Sequence, residues 1–392
     1  MSVVDALSSL LEALASVPEI LASLAGGAFG AAIGPLPAFV FTGIMVIAGE
    51  ASVLAGGDGF ITDEVAFGPA FSPAVSFAGG VAGTAYAAKK GYMDEFEWDY
   101  HQAKNILQGL GTKPDVLAVG AVFGLIGWWM QVAFAELGMP WDPIAMGVVL
   151  SAIFHRLILG YSIIGTVRGT GILDMTPFER GERRTPTDGG ETLEVDAVAG
   201  DGTESEADAE ADEVETEDGF GEDSDPREEP PVAAGAARLA VEPWLPHQYR
   251  WGGVAAIGAF AGVLGGWIAI ATTSPFLAFG ISAATLLFLN LGIEKVPVTH
   301  HITLPAGTAA LAVMADGNAV VAGLGEGGAL IIALVFGVAC ALFAELFQRV
   351  FYAHGDTHVD PPAAAIVFGT FVIALLALAG IFAETVWVPL PV

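Results

Sequence analysis

Two aspartates each stand directly before a proline, in "WDPIAMGVVLSAIF" (141–154) and "VDPPAAAIVFGTFV" (359–372). A carboxylate in that place accepts hydrogen bonds from the free N–H groups of a helix's first turn, and proline is tolerated at the next position. The same carboxylate at the mouth of an apolar pathway would act on charge. Asp142 and Asp360 are therefore candidates for both roles.

A second pair consists of apolar stretches interrupted by proline and glycine. "FSPAVSFAGGVAGTAYAAKK" (71–90) carries Pro73, Gly79, Gly80 and Gly83, and "THHITLPAGTAALAVMADGNA" (299–319) carries Pro305, Gly307 and Thr308. Short or broken apolar segments at matching positions point to the substrate site in many transport proteins, because an unwound turn frees carbonyls and helix ends. Small residues at such spacing also permit close helix packing.

Other polar residues are more scattered. Arg156, beside His155, is the basic residue set deepest in an apolar run, from which it could snorkel to the interface. Glu345 and Arg349 stand four apart in the order that favours a helical ion pair. His300 and His301 are adjacent and point to different faces, so they are poor joint ligands. His354 and His358 have a spacing that can bind zinc on a helix, but "HGDTHVDPP" reads as a loop with no third ligand nearby. The single cysteine, Cys340, excludes a disulfide within the chain and reads as a packing residue. The sequence contains neither a P-loop nor a nucleophile elbow. We expect no enzyme activity, no catalytic residue, no cofactor and no metal site.

The elements that must position these residues are set by apolarity. The chain of 392 residues is 54% hydrophobic, with a mean hydropathy of +0.63. Runs at 117–135, 143–163, 251–272, 275–293, 329–347 and 362–383 approach the ~20 residues that cross a ~30 Å hydrocarbon core. They are continuous rather than alternating, which implies helices. The net charge of −30 is concentrated between Glu191 and Pro230, where 18 acidic residues accompany one basic residue, Arg227. Such a stretch has no core to bury and reads as a solvated, disordered tether. Scarce lysine with abundant Asp and Glu resembles the composition of proteins from salt-loving archaea. Residues 3–17, with Asp5 and Glu12 seven apart and Glu19 seven further on, read as an amphipathic lead-in.

The tether divides the chain into a first membrane repeat (1–164), an acidic segment (165–249) and a second membrane repeat (250–392). Gly26, Gly30 and Gly34 are echoed by Gly258, Gly262 and Gly266, each 232 positions on, and Pro73 by Pro305 at the same separation. "AVFGLIGWWMQVAF" (121–134) matches "LVFGVACALFAEL" (334–346), and the two Asp-Pro segments follow in the same order. Each half then holds five elements: 18–34, 37–56, 66–88, 115–137 and 142–164, then 250–272, 275–293, 299–316, 328–350 and 361–384. Two odd-numbered repeats in series must lie in opposite orientations. With the tether inside, all 14 Lys and Arg fall on the inner side and both termini outside, as the positive-inside rule requires. Trp141 and Trp387 then fall at the outer interface, and Trp98, Trp244 and Trp251 at the inner one.

The expected fold is an all-α polytopic membrane protein of two inverted-topology repeats, with the third element of each repeat broken or re-entrant. This five-plus-five plan is similar to that of ammonium and urea channels and several ion-coupled carriers. "SFAGGVAGTAYA" resembles a glycine-rich ammonium-channel segment. The paired mid-membrane histidines of that family have no counterpart in the first half, so no residue role is carried over. The function expected is a channel or secondary transporter in the cell membrane, moving a small polar solute or ion between the repeats. The alternative is a membrane scaffold that recruits partners through its acidic tether. The partners expected are the lipid bilayer and a small solute or ion, with a homo-oligomer left open and nucleic acid excluded.

Overall fold

The computed structural model describes residues 10–12, 14–94, 98–184, 238–317 and 319–391. Residues 3–9 of the lead-in, the Glu191–Pro230 acidic stretch and Asn318 lie outside them. The described chain is helical, with no strand among the described residues beyond a single bridge between Arg183 and Leu239.

Among the described residues, five helices of eight or more residues precede the tether: α1 (Val17–Ile33), α2 (Pro35–Leu54), α3 (Ser76–Lys89), α4 (Pro114–Glu136) and α5 (Pro143–Leu159). Five follow it: α6 (Trp251–Thr272), α7 (Leu277–Ala284), α8 (His300–Met314), α9 (Gly325–Phe351) and α10 (Pro361–Leu378). Proline opens α2, α4, α5 and α10, where its missing N–H costs nothing. Gly34, at φ 101°, makes the sharp turn from α1 into α2. Helices α2, α4, α6, α9 and α10 are long and apolar enough to cross a membrane, whereas α1, α5 and α7 are shorter apolar helices.

Two trios of helices pack through glycine. In α1, α3 and α4, a β-carbon on Gly27 would lie 2.2 Å from the Gly120 carbonyl oxygen, and one on Gly79 would lie 2.7 Å from the Gly27 α-carbon. In α6, α8 and α9, a β-carbon on Gly337 would lie 2.3 Å from the Gly258 carbonyl oxygen, and one on Gly265 would lie 2.7 Å from that of Thr303. Backbones this close gain dispersion contacts that larger side chains would prevent. The trios are joined by α2 against α7, where Gly43 meets Ala283, and by α5 against α10.

Several elements differ from the sequence expectation. The stretch 66–88 divides into an irregular segment, residues 67–75, and the 14-residue α3. The eighth element is short rather than broken: α8 runs 15 residues straight through Pro305. At about 1.5 Å per residue both helices are roughly 21–23 Å long, less than the ~30 Å apolar core. Within 275–293, α7 stops at Ala284 and a separate turn, Leu287–Asn290, follows. Residues 165–184 and 238–249, expected in the tether, pack on the helices. The Arg184 N–H donates to the Arg238 carbonyl at 2.9 Å, and the Ala240 N–H to that of Glu182 at 2.7 Å.

Two outcomes are expected. Gly27→Ala should destabilise by about 1–3 kcal/mol through overpacking. Gly253→Ala, where a β-carbon meets nothing within 4 Å, should stabilise by about 0.5–1 kcal/mol. Thermal unfolding in detergent reads both signs. Replacing residues 185–237 by a short glycine-serine turn should leave the elution profile unchanged and the thermal midpoint unchanged or raised. The chain ends at 184 and 238 already touch, and a shorter loop costs less closure entropy.

Candidate functional site

Between the two groups of helices lies a cavity of about 1010 Å³. The first half contributes Leu36, Phe39, Phe77 and Val148 to its walls, and the second contributes Phe279, His300, Leu304 and Ile366. Its tether end is bounded by Trp98, Lys104, Trp244, His247 and Lys295, and its far end by Asp63, Gln131 and Trp387. Trp244 and Trp387, expected in aromatic belts, therefore line the cavity.

A chain of aromatic rings runs between those ends. Tyr352 lies 5.4 Å from His358, which lies 5.7 Å from Phe77, and Phe77 lies 5.8 Å from Phe39. Phe39 lies 5.9 Å from Phe279, which lies 5.9 Å from Phe67. Phe276 then stands 5.3 Å from both Phe67 and Trp387. All eight rings line the cavity. These spacings fall within the range of favourable edge and offset ring contacts. His300 branches from the chain, 4.7 Å from Phe39 and 5.9 Å from Phe279. It is buried, and its Nδ1 has no hydrogen-bond partner.

Asp142 and Asp360 also line the cavity and both cap helices. Asp142 Oδ1 accepts from the N–H groups of Ile144 (2.8 Å) and Ala145 (3.3 Å), and Asp360 Oδ2 accepts from that of Ala363 (2.8 Å). Asp360 Oδ1 also lies 3.1 Å from His358 Nε2. The two carboxylates sit at opposite ends of an antiparallel pair. The Asp142 N–H donates to Thr370 Oγ1 on α10 at 2.9 Å, and the other end of α5 bonds Thr357, just before α10. Thr370 lies ten residues beyond Asp360, so the carboxylates are separated by about 15 Å along α10.

Of the other residues singled out in the sequence, Pro73 lines the cavity, in the irregular turn before α3. The carbonyls that this turn frees are already taken. Phe67 O accepts from Gln131 Nε2 (2.8 Å), and Phe71 O from Thr42 Oγ1 (2.8 Å) and Ser76 Oγ (3.2 Å). Gly79, Gly80 and Gly83 face the neighbouring helices: Gly79 meets Gly27, Gly80 meets Gly30 and Pro35, and Gly83 meets Ala31. Pro305 packs on Gly369, and Gly307 on Ala269 and Gly265. Thr308 donates to Leu304 O and accepts from Trp387 Nε1 at 2.9 Å. The structure thus brings Pro73, Asp142 and Asp360 to the cavity and the remaining six to helix contacts beside it.

The tether end is closed by a buried ionic cluster that the sequence did not reveal. Lys104 Nζ lies 2.6 Å from Glu242 Oε2, both side chains having no solvent exposure. The ammonium also sits 4.4 Å above the Tyr352 ring, the first of the aromatic chain. Burial pushes Lys104 down from the ordinary 10.5 to about 8, against the pull of Glu242 in the other direction. Arg238 lies 3.6 Å from Glu242 and also bonds Asp356, which Arg184 reaches at 3.4 Å. Glu345 and Arg349 form the helical pair expected, at 2.6 Å. Arg156 does not snorkel. It is buried and donates to Thr357 Oγ1 (2.8 Å), Thr357 O (2.6 Å), Phe351 O (2.8 Å) and Ile163 O. Glu50 is likewise buried, accepting from Thr62 and Ser274. No group of three or more His, Cys, Asp or Glu residues suited to a metal ion occurs among the described residues.

Lys104 and Glu242 are 138 positions apart, one in the first repeat and the other in the segment expected as tether, so no spacing rule joins them. The aromatic chain draws on six separate segments, and its members follow no single period. Its only trace in the sequence is the aromatic share of 10%.

An all-helical chain with five helices of membrane-crossing length and apolarity is a multi-pass membrane protein. A family model described as "Family of unknown function (DUF7973)" matches residues 9–391, and the chain belongs to that family. No curated protein and no solved structure matches it.

Lys104→Met should leave Glu242 a buried carboxylate with the more distant Arg238 as its nearest counter-charge. The expected loss is about 3 kcal/mol, read as a lower thermal midpoint. Adding Glu242→Leu should recover most of it, because the pair's desolvation cost is removed together with its attraction.

Proposed function

We propose that the protein is a channel or secondary transporter in which a small solute or ion passes between two inverted repeats. The observation that carries this reading is the cavity at the junction of the two halves, with one N-capping aspartate at each end of the antiparallel α5 and α10. The repeat reading draws support from packing. The first, third and fourth helices of each half form a glycine-packed trio, and the second and fifth helices of each half meet their counterparts across the cavity. Solute sites at the junction of such repeats, near the bilayer midplane, are a common plan of transporters.

The short α3 and α8 fit this reading as well. Helices too short to span an apolar core are stable in a bilayer only when neighbouring protein surrounds them. Here α3 and α8 are buried along almost their whole length. The orientation follows the basic residues: tether inside, both termini outside.

A flux measurement tests the proposal. Protein in liposomes should pass small solutes that protein-free liposomes retain. Leu304→Trp, which fills the middle of the cavity, should lower that flux at least 10-fold while the elution profile stays unchanged. Liposomes that move no ion or solute with the wild-type protein would leave the scaffold reading in its place.

A further inference from the structure

We infer that the cavity binds a small organic cation, an alkyl- or arylammonium with an apolar body, held against the aromatic chain between Asp142 and Asp360. The inference deepens the transport reading by naming the solute, and its binding half stands on the cavity alone.

The charge balance of the walls comes first. Carboxylates at the cavity are Asp63, Asp142, Glu294 and Asp360, against Lys104 and Lys295. Lys104 is already matched by Glu242, so the surplus is negative. An anion would need N–H or O–H donors free to face it. Phe39, Phe77, Phe279 and Leu304, which form the middle of the cavity, carry none, and the neutral His300 imidazole beside them has a single N–H against the carboxylates at the ends.

The walls themselves come second. Aromatic faces attract cations through their ring quadrupoles, most strongly where water is excluded. The molecule contains an example of that contact at this site: Lys104 Nζ stands 4.4 Å from the centre of the Tyr352 ring, where the aromatic chain begins. The further rings line the same cavity, and each whose face turns inward offers a cation the same contact.

The unpartnered imidazole comes third. His300 is 95% buried, lines the cavity beside Phe39, and has no partner at Nδ1. A buried polar atom without a partner is costly, and a ligand that meets it offsets that cost. A neutral imidazole also carries one acceptor nitrogen, and an ammonium N–H is the complementary donor. Size excludes a bare ion as the best fit. About 1010 Å³ exceeds the space of an ammonium or alkali ion many times over and suits a solute with a carbon skeleton.

Three probes of one shape separate the possibilities: phenethylammonium, phenethyl alcohol and phenylacetate, titrated calorimetrically into the purified full chain at one fixed ionic strength. The cation should bind at least 10-fold tighter than the alcohol, and the anion should not bind. Asp142→Asn keeps the helix cap and removes the charge. It should weaken the cation about 10-fold and leave the alcohol unchanged. Phe39→Leu should weaken the cation several-fold, with the thermal midpoints of both variants checked against wild type. Equal binding of cation and alcohol, tightest binding of the anion, no response to Asp142→Asn, or no saturable binding of any probe overturns the inference. Flux in liposomes separates the two readings. Cation binding without cation flux overturns passage but leaves the binding site. Flux without cation preference overturns the ligand class but leaves passage.

Discussion

A guanidinium cannot be buried unless its donors are met, and at Arg156 that requirement determines how the two halves fit together. Arg156 lies near the end of α5 in the first half. Its bonds go to Phe351 and Thr357 in the second half and to Ile163 in its own. Gly355 stands so close that a β-carbon there would lie 2.7 Å from Nη2. The Thr357 hydroxyl, having accepted from Arg156, has its proton free for His155 Nε2 at 2.9 Å. One cation therefore fixes the register of α5 against the segment leading into α10. The opposite end of the pair is pinned by the bond from the Asp142 N–H to Thr370. Between these two pins the helices need not touch closely, and the cavity can persist.

The glycine trios supply the rigidity that an open interior requires. Most proteins gain stability by filling the centre, where packing density approaches that of organic crystals. Here the tightest packing lies on either side of the cavity, in α1, α3 and α4 and in α6, α8 and α9. Lipid offers no hydrophobic drive for helices to associate, so close backbone approach must hold each trio together. The space between the trios is then left to the cavity and the aromatic side chains that line it. Gly79, Gly80, Gly83 and Gly307 act on the cavity through this packing: they hold α3 and α8 in place behind the walls.

What could be read from the sequence was what depends on local spacing. The Asp-Pro pairs cap helices because a carboxylate one residue before a proline meets free N–H groups in any surroundings. Glu345 and Arg349 pair because four residues make one helical turn. The interruption at Pro73 is present because Phe71 O accepts from Thr42 and Ser76, and Ser72 Oγ donates to Gln131. What could not be read depends on distant partners. Pro305 lies within an unbroken helix because Gly369, on another helix, leaves room for its ring. Arg156 stays buried because Thr357, 201 positions on, meets it. The tether boundaries were set by composition, yet residues 165–184 and 238–249 are held by ion pairs and backbone bonds that composition does not register.

Those tether ends bear on the cavity itself. The segment after the tether carries Trp244 and His247 across the cavity mouth, with the Trp244 N–H donating to Gln348 Oε1 at 3.2 Å and Gln248 bonding Val298 through both its amide groups. Its other anchor is Glu242, bound to Lys104 from the first half. The polypeptide that links the halves is therefore also the wall that closes the cavity at this end. Trp244 and the Lys104–Glu242 pair therefore stand between the cavity and the tether side. At the far end the boundary is Trp387, hydrogen-bonded to Thr308 through a single indole N–H. One end is held by a buried ion pair within a cluster of charges, and the other, at Trp387 and Gln131, by neutral hydrogen bonds.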